Sequence, residues 1–281
     1  MRPITLRRVI DLCNLALSEK EITSQLVVDA LKTTLSRAQE LLLEIERMGL
    51  ITRKDRKFVV NDNTLKLIEA FEEENWQSFH DYFLSNFSFY QRFVQLLKGH
   101  VEDEQGLLIR EAVQEAGAKG LTLNRTTIEV LSNWCERLGV IQRHLYSKRF
   151  YILKDEKPTI DLFKRVLQQC YSSLNIRSGV DLRLVYVEIP RLREVVCERL
   201  KTSRELFDEL FKKVYLESIG KIELSGAPTV TAAKKSPLTI RTIKASKKED
   251  VLAPHFDLTK EREGIKIGVK SYYYVAIHSR L

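Results

Sequence analysis

The sequence predicts a mainly helical protein with small β-hairpins, an α+β class. Apolar residues step by three and four along much of the chain, which is helical spacing. Short apolar strands flank stretches that are too polar to bury. One pattern occurs twice, 90 residues apart, and consists of a polar helix start, an amphipathic helix that stops at Gly49 or Gly139, and a basic hairpin. We therefore expect tandem small units rather than one large core.

Length and composition limit the protein class. The chain has 281 residues, 44% of them hydrophobic, and a mean hydropathy of −0.22, which are typical of a globular protein with one to three domains. No apolar run approaches the ~20 residues needed to cross a bilayer. The first residues lack the apolar core of a signal peptide. We expect a cytoplasmic protein without a membrane partner.

The charges are sorted along the chain, whose overall net charge is +8. Residues 1–61 hold 11 basic and 8 acidic residues, and residues 107–155 hold 8 and 5. Residues 62–106 hold 3 and 9, whereas residues 156–281 hold 24 and 16. Both repeats and the last third are thus basic, and the segment between the repeats is acidic. This distribution favours a polyanionic partner.

The first copy is predicted over residues 1–61. Two helices, residues 7–18 and 24–32, precede a turn. Thr34 or Ser36 can cap the third helix, which ends at Gly49 because glycine tolerates positive φ after a helix. Two short strands follow, and the basic stretch between them is long enough only for a hairpin.

An acidic, aromatic-rich helical spacer is predicted over residues 62–105. Aromatic side chains stack on nucleic-acid bases in some proteins. Here the rings recur at helical spacing among acidic residues, so core packing or a helical protein interface is favoured.

The second copy is predicted over residues 106–155. It contains a helix over 107–116, a short helix ending near Gly120, a third helix over 121–138 and a hairpin over 141–153. A linker helix follows within residues 156–180.

Residues 181–281 read as a third, more divergent copy. A strand is predicted over 180–187, helices over 189–200 and 205–217, a strand over 221–224, and a closing hairpin or strand over 264–277. Leu224 and Tyr274 would lie on the two arms of a hairpin, joined through a long Lys-rich loop over 226–254.

Catalytic and metal-binding patterns are absent from the sequence. It contains no phosphate-binding glycine motif and no nucleophile elbow. A nuclease site built on Asp257, Glu263 and Lys266 is conceivable but disfavoured, because it falls where a polar loop enters a strand. Four scattered cysteines (Cys13, Cys135, Cys170 and Cys197) are expected to be buried free thiols. We predict a protein that is not an enzyme and has no cofactor, metal or small-molecule substrate.

This order of helix, turn, helix, glycine and basic hairpin resembles the winged helix-turn-helix superfamily. The resemblance covers residues 6–61 and 106–154, and more loosely 183–278. It implies tandem winged-helix domains joined by helical spacers. It also implies that the third helix of a copy enters the DNA major groove, while the hairpin, or wing, contacts the backbone or minor groove.

The side chains available for such contacts are polar or basic, because hydroxyls and cations bind phosphates and Arg and Gln read base edges. The first copy offers Thr34, Ser36, Arg37 and Gln39 on the helix and Arg53, Lys54, Arg56 and Lys57 in the wing. The second offers Asn124, Arg125 and Thr127, with Arg143, Lys148 and Arg149 in the wing. The last third offers Lys201, Ser203 and Arg204, with Lys234, Lys235 and Arg241 in its loop.

Other features of the same helices oppose DNA binding. Acidic residues on the third helices (Glu40, Glu44, Glu46, Glu129 and Glu136) would repel phosphate if they faced it. A polar helix start also serves capping alone. Two hypotheses follow: a DNA-binding protein, as a regulator of transcription or the DNA-contacting subunit of a complex, and a protein-interaction scaffold. The expected partner is duplex DNA, and the 62–105 spacer is a candidate surface for a protein partner or a homodimer.

Overall fold

The computed structural model describes residues 1–19, 21–55, 57–177, 186–226, 248 and 262–281. These residues form eleven helices and nine strands, mainly helical with small antiparallel sheets, which confirms the α+β class. Contacts divide them into two compact units. Unit 1 holds the described residues of 1–100 and 107–141 with Lys248, and unit 2 holds those of 101–106, 142–226 and 262–281. The five predicted segments and the four boundaries between them remain predictions.

Unit 1 begins with three helices and a three-stranded antiparallel sheet of order β1-β3-β2. The elements are α1 (Leu6–Glu19), β1 (Glu21–Ile22), α2 (Ser24–Leu31), α3 (Leu35–Arg47), β2 (Ile51–Lys54) and β3 (Lys57–Val60).

Local chemistry sets the limits of α3. Thr34, the first of the two predicted caps, holds its start, because its hydroxyl accepts a hydrogen bond from the Arg37 N–H at 3.3 Å. Gly49 follows its end with φ +73°, as predicted for a residue that tolerates the left-handed region. Lys32 also adopts positive φ, +49°, and reverses the chain between α2 and α3.

The spacer contributes α4 (Asp62–Glu72), α5 (Trp76–Asn86) and α6 (Ser88–Lys98) to unit 1. Most of its aromatic rings are buried and pack edge-on or tilted against one another, and the ring centroids of Phe83 and Trp134 are 5.2 Å apart. These rings therefore form core, as their helical spacing predicted.

The second copy departs from its predicted helices. The structure has one helix, α7 (Ile109–Ala118), where two short helices were predicted between residues 107 and 120. The extended backbone of Leu107 and Leu108 delays its start, which Glu111 fixes by accepting a hydrogen bond from the Leu108 N–H at 2.8 Å. Gly117 lies within the helix, and only Gly120, at φ +66°, comes after its end. Then follow α8 (Arg125–Arg137), β4 (Ile141–Arg143) and β5 (Phe150–Ile152).

Unit 2 repeats the arrangement of the first 60 residues. Its elements are α9 (Ile160–Arg177), β6 (Val187–Glu188), α10 (Ile189–Leu200), α11 (Arg204–Glu217), β7 (Ile222–Gly226), β8 (Ile265–Ile267) and β9 (Lys270–Ile277). The sheet order is β6-β9-β7, with β8 also paired to β9. Leu224 pairs with Val275, so the predicted arms of the last hairpin do pair. Most of the predicted 180–187 strand and 226–254 loop lies outside the described residues.

The same turn joins two pairs of helices. Lys32-Thr33-Thr34 lies between α2 and α3, and Lys201-Thr202-Ser203 lies between α10 and α11. Both lysines adopt the left-handed conformation, and Thr34 and Ser203 cap the helices that follow. A third series, α6, an isolated bridge at Leu107, α7, α8, β4 and β5, has the same order of elements with a longer turn.

Candidate nucleic-acid interface

The exposed face of α3 carries both polar and apolar side chains, and none of its exposed residues is acidic. Its exposed residues are Leu35, Ser36, Gln39, Leu43 and Arg47. Leu35 is 51% exposed and Leu43 is 38% exposed. This face therefore offers a hydroxyl, an amide and a guanidinium group together with two leucines.

The carboxylates of α3 are less exposed than that face, and two of the three are paired with arginines. Glu44 is 1% exposed and accepts hydrogen bonds from the Arg2 N–H and from Arg47, both at 2.7 Å. Glu40 pairs with Arg37 at 3.0 Å, and Arg2 lies 3.5 Å from it. Glu46 is half-buried. The phosphate repulsion expected from these acids is thereby reduced, but Arg37 is committed to Glu40 and to the Pro3 carbonyl.

The β2–β3 hairpin presents basic side chains to solvent. Arg53 and Lys54 are exposed on β2, and the Arg53 Nε donates a 3.2 Å hydrogen bond to the Asp55 carbonyl. Lys57 forms an exposed ion pair with Glu21. Asp55 is also exposed at the tip, at φ +56°. Arg56 lies outside the described residues.

The start of α8 carries fewer available groups than predicted. The Asn124 side chain accepts hydrogen bonds from both the backbone N–H and the hydroxyl of Thr127, so it serves as the helix cap. Thr127 is 1% exposed and leaves the candidate surface. Arg125 remains 79% exposed and pairs with Glu129 at 2.8 Å.

The β4–β5 hairpin is built into unit 2 rather than solvated. Leu145 and His144 are buried, and the Leu145 N–H donates to Glu194 at 2.7 Å. Arg149 donates to the Gly106 carbonyl at 2.7 Å, and the Arg143 carbonyl accepts from Arg204 at 2.6 Å. Of the three predicted cations of this hairpin, all of them described, only Lys148 is exposed, and Arg143 and Arg149 are half-buried.

A buried ionic cluster accounts for this packing. Glu194, fully buried on α10, pairs with the Arg204 Nε at 2.5 Å. Glu198 accepts a hydrogen bond from the Gly106 N–H at 2.8 Å, and its other oxygen lies 3.8 Å from His144. These contacts bind α10, the start of α11 and the β4–β5 hairpin together.

The remaining candidates of unit 2 are structural. Lys201 is 1% exposed, with its Nζ 5.4 Å from the centre of the Tyr151 ring, and burial lowers the pKa of its amine. Ser203 caps α11 by accepting from the Leu206 N–H at 3.2 Å. Arg204 is committed to Glu194. These three residues are therefore not available for DNA in this conformation, and Lys234, Lys235 and Arg241 lie outside the described residues.

The four cysteines are buried and unpaired, as predicted. Burial raises the pKa of Cys13 and of Cys135 to about 12, which keeps both thiols protonated at neutral pH. In the described part of the chain, no group of three or more His, Cys, Asp and Glu side chains is placed to hold a metal ion. Nor does any helix there combine the length and apolar content needed to cross a bilayer.

Comparisons with known proteins add no family. No protein-family model matches the chain, and a search of curated proteins finds no significant match.

Sequence reasoning missed the residues that organise these surfaces. Glu194 and Glu198 of α10 were not among the residues singled out from the sequence, and both are buried. Their spacing of four residues places them on one helix face, which was the available signal. Nothing in the sequence indicated that residues 1–5 pack against α3 and α8.

Proposed function

We propose that this chain is a non-enzymatic, cytoplasmic DNA-binding protein built from tandem winged helices. Support for the fold comes from the shared element order and from the strand order β1-β3-β2, which recurs as β6-β9-β7. The series α6 to β5 would be the winged helix of the second copy. In this proposal, DNA is bound first through α3 and the β2–β3 hairpin, and Arg125 at the start of α8 supplies a second contact.

The observation that carries DNA binding is the charge arrangement in the first copy. Arg53 and Lys54 are exposed on the strand that follows α3, and no exposed residue of α3 is acidic. A helix of this kind can enter the major groove while hairpin cations contact phosphates. Gln39 is the exposed α3 side chain best suited to read a base edge.

Neutralising the hairpin tests the proposal. In R53Q/K54Q, two phosphate contacts are lost, so the slope of log affinity against log salt should become shallower by about 2. Electrophoretic retardation of duplex DNA over a salt series measures this slope. The matched control is K66Q/K98Q, which removes two exposed lysines of α4 and α6 and gives the same change in net charge. Equal slopes for both variants would remove the hairpin from the interface.

A protein-interaction scaffold remains the second candidate, favoured by exposed Leu35 and Leu43 on α3. Replacing both by glutamine would then dissociate a self-associated form, measured by light scattering, and leave DNA retardation unchanged. If retardation instead weakens in this variant, the leucine face belongs to the DNA interface.

A further inference from the structure

Residues 1–5, here called the arm, are held by two different helices of unit 1. The Arg2 N–H donates a hydrogen bond to Glu44 of α3 at 2.7 Å, and the Pro3 carbonyl accepts one from Arg37 of the same helix. Ile4 is 3% exposed, and its carbonyl accepts a hydrogen bond from the Trp134 indole of α8 at 3.1 Å. Neighbouring residues of one short segment thus contact both α3 and α8.

The two positions that hold the arm are equivalent in the repeat. α3 spans residues 35–47 and α8 spans residues 125–137, so 90 residues separate the helices at both ends. The same offset relates Glu44 to Trp134. At this one position the copies carry complementary chemistry, because Glu44 accepts a backbone N–H and Trp134 donates to a backbone carbonyl.

Each contact uses a buried side chain, so losing it is costly. Glu44 is 1% exposed and Trp134 is 2% exposed, in ring contact with Phe83 and Phe87. The second carboxylate oxygen of Glu44 is buried without a hydrogen-bond partner among the described residues. Its other oxygen accepts hydrogen bonds from the Arg2 N–H and from Arg47. These two donors therefore stabilise the buried charge. A buried polar group left without a hydrogen bond destabilises the fold.

We propose that the arm is a brace that fixes α3 relative to α8. Residues 2 and 4 are at most about 7 Å apart along the chain, so the side chains of Glu44 and Trp134 are kept close together. When the arm is released, α3 and α8 remain linked through α5, whose Tyr82 donates to the Met48 carbonyl and whose Phe83 packs on Trp134, so the distance between the two helices becomes less fixed. Arg2, Glu44 and Trp134 are thus positioning residues for the surface proposed above.

The test measures the distance between the helices directly. Spin labels are placed on the exposed faces by Gln39→Cys and Asn133→Cys, and pulsed electron paramagnetic resonance gives the distance distribution. Arg2→Pro removes the donor to Glu44, and Trp134→Phe removes the indole N–H but keeps an aromatic ring. We expect the double variant R2P/W134F to broaden the distribution while helix content by circular dichroism stays unchanged.

The chain offers a matched control for the tryptophan. Trp76 is also buried in unit 1, but its indole nitrogen has no hydrogen-bond partner within the described residues. W76F therefore loses an indole without losing a bond and should keep the narrow distribution. If W134F unfolds the unit, R2P alone still tests the brace, because Trp134 is then intact. An unchanged distribution in folded R2P and R2P/W134F would overturn the proposal.

The consequence for binding rests on the proposed function. On a duplex long enough for both helices, R2P/W134F should bind about tenfold more weakly, because the second contact loses effective concentration. A broadened distribution with no DNA binding by any variant would contradict the DNA-binding proposal and leave the brace standing. A distribution that stays narrow in R2P/W134F, together with normal DNA binding, would contradict the brace and leave the DNA-binding proposal standing.

Discussion

The imidazole of His144 lies inside unit 2, where it stabilises the turn of the β4–β5 hairpin. Its Nδ1 accepts hydrogen bonds from the backbone N–H groups of Tyr146 and Ser147, both at 3.1 Å. An Nδ1 that accepts in this way is unprotonated. Burial lowers the pKa of His144 below its ordinary value of 6.5, although Glu194 and Glu198 act in the opposite direction. Charging this ring would therefore oppose the fold.

The pH dependence of stability follows from that lowered pKa. Below pH 6.5 the unfolded chain protonates His144 while the folded chain does not, so the free energy of unfolding falls as pH decreases. One such group contributes at most about 1.4 kcal/mol per pH unit. Chemical denaturation between pH 7.5 and 5.5 measures this loss.

His144→Asn is the control for that titration. Its side-chain oxygen can accept the same backbone N–H groups, but it does not titrate. We expect the wild type to lose more stability than the variant below pH 6.5. Parallel pH curves for the two proteins would show that His144 is not the responsible group.

At the scale of elements, one glycine is fixed by a close backbone approach. Gly264 precedes β8, and a Cβ added there would lie 1.8 Å from the Tyr272 carbonyl oxygen. Arg193, 4% exposed, donates to the carbonyls of Glu263 and Gly264 while it pairs with Asp208 of α11. The start of β8 is therefore held between β9 and the two helices.

Gly264→Ala should consequently be strongly destabilising. The clash is with backbone rather than with a mobile side chain, so we expect a loss of about 2 kcal/mol or more. Gly226→Ala on β7 is the control, because its added Cβ meets no atom of the described residues within 4 Å. Thermal unfolding should separate the two variants by several degrees, and equal midpoints would contradict the close approach.

The elements that sequence predicted well are those with local signals. Thr34 and Gly49 mark the ends of α3 through capping and positive φ, and both signals act within one turn of chain. The second copy was predicted less well. Two helices were predicted between residues 107 and 120, but the backbone of Leu107 and Leu108 is extended and only α7 forms there. Helical periodicity does not locate a helix start when several apolar residues precede it.

For the whole molecule, the sequence revealed the repeats but not which charges they expose. Thr127, Lys201 and Arg204 are residue types common in nucleic-acid interfaces. In the structure, however, Thr127 and Lys201 are buried and Arg204 pairs with Glu194. Their environment is set by residues distant in sequence, such as Glu194 against Arg204, and no local pattern encodes such pairing. The net charge can be counted from the sequence, whereas the exposure of a given cation to a ligand depends on tertiary contacts.

The salt dependence of binding by the full chain tests this reduced set of cations. Among the described candidate cations of unit 1, to which the proposed interface belongs, Arg53, Lys54, Lys57 and Arg125 are exposed. Four phosphate contacts predict a slope of about −3.6 and a loss of affinity of about 10² between 50 and 200 mM salt. Fluorescence anisotropy of labelled duplex DNA measures this slope. A slope near −3.6 supports this set, and a steeper slope assigns further phosphate contacts to other candidate cations, such as Lys148, Lys234 and Lys235. A slope near zero would exclude phosphate contacts as the basis of binding.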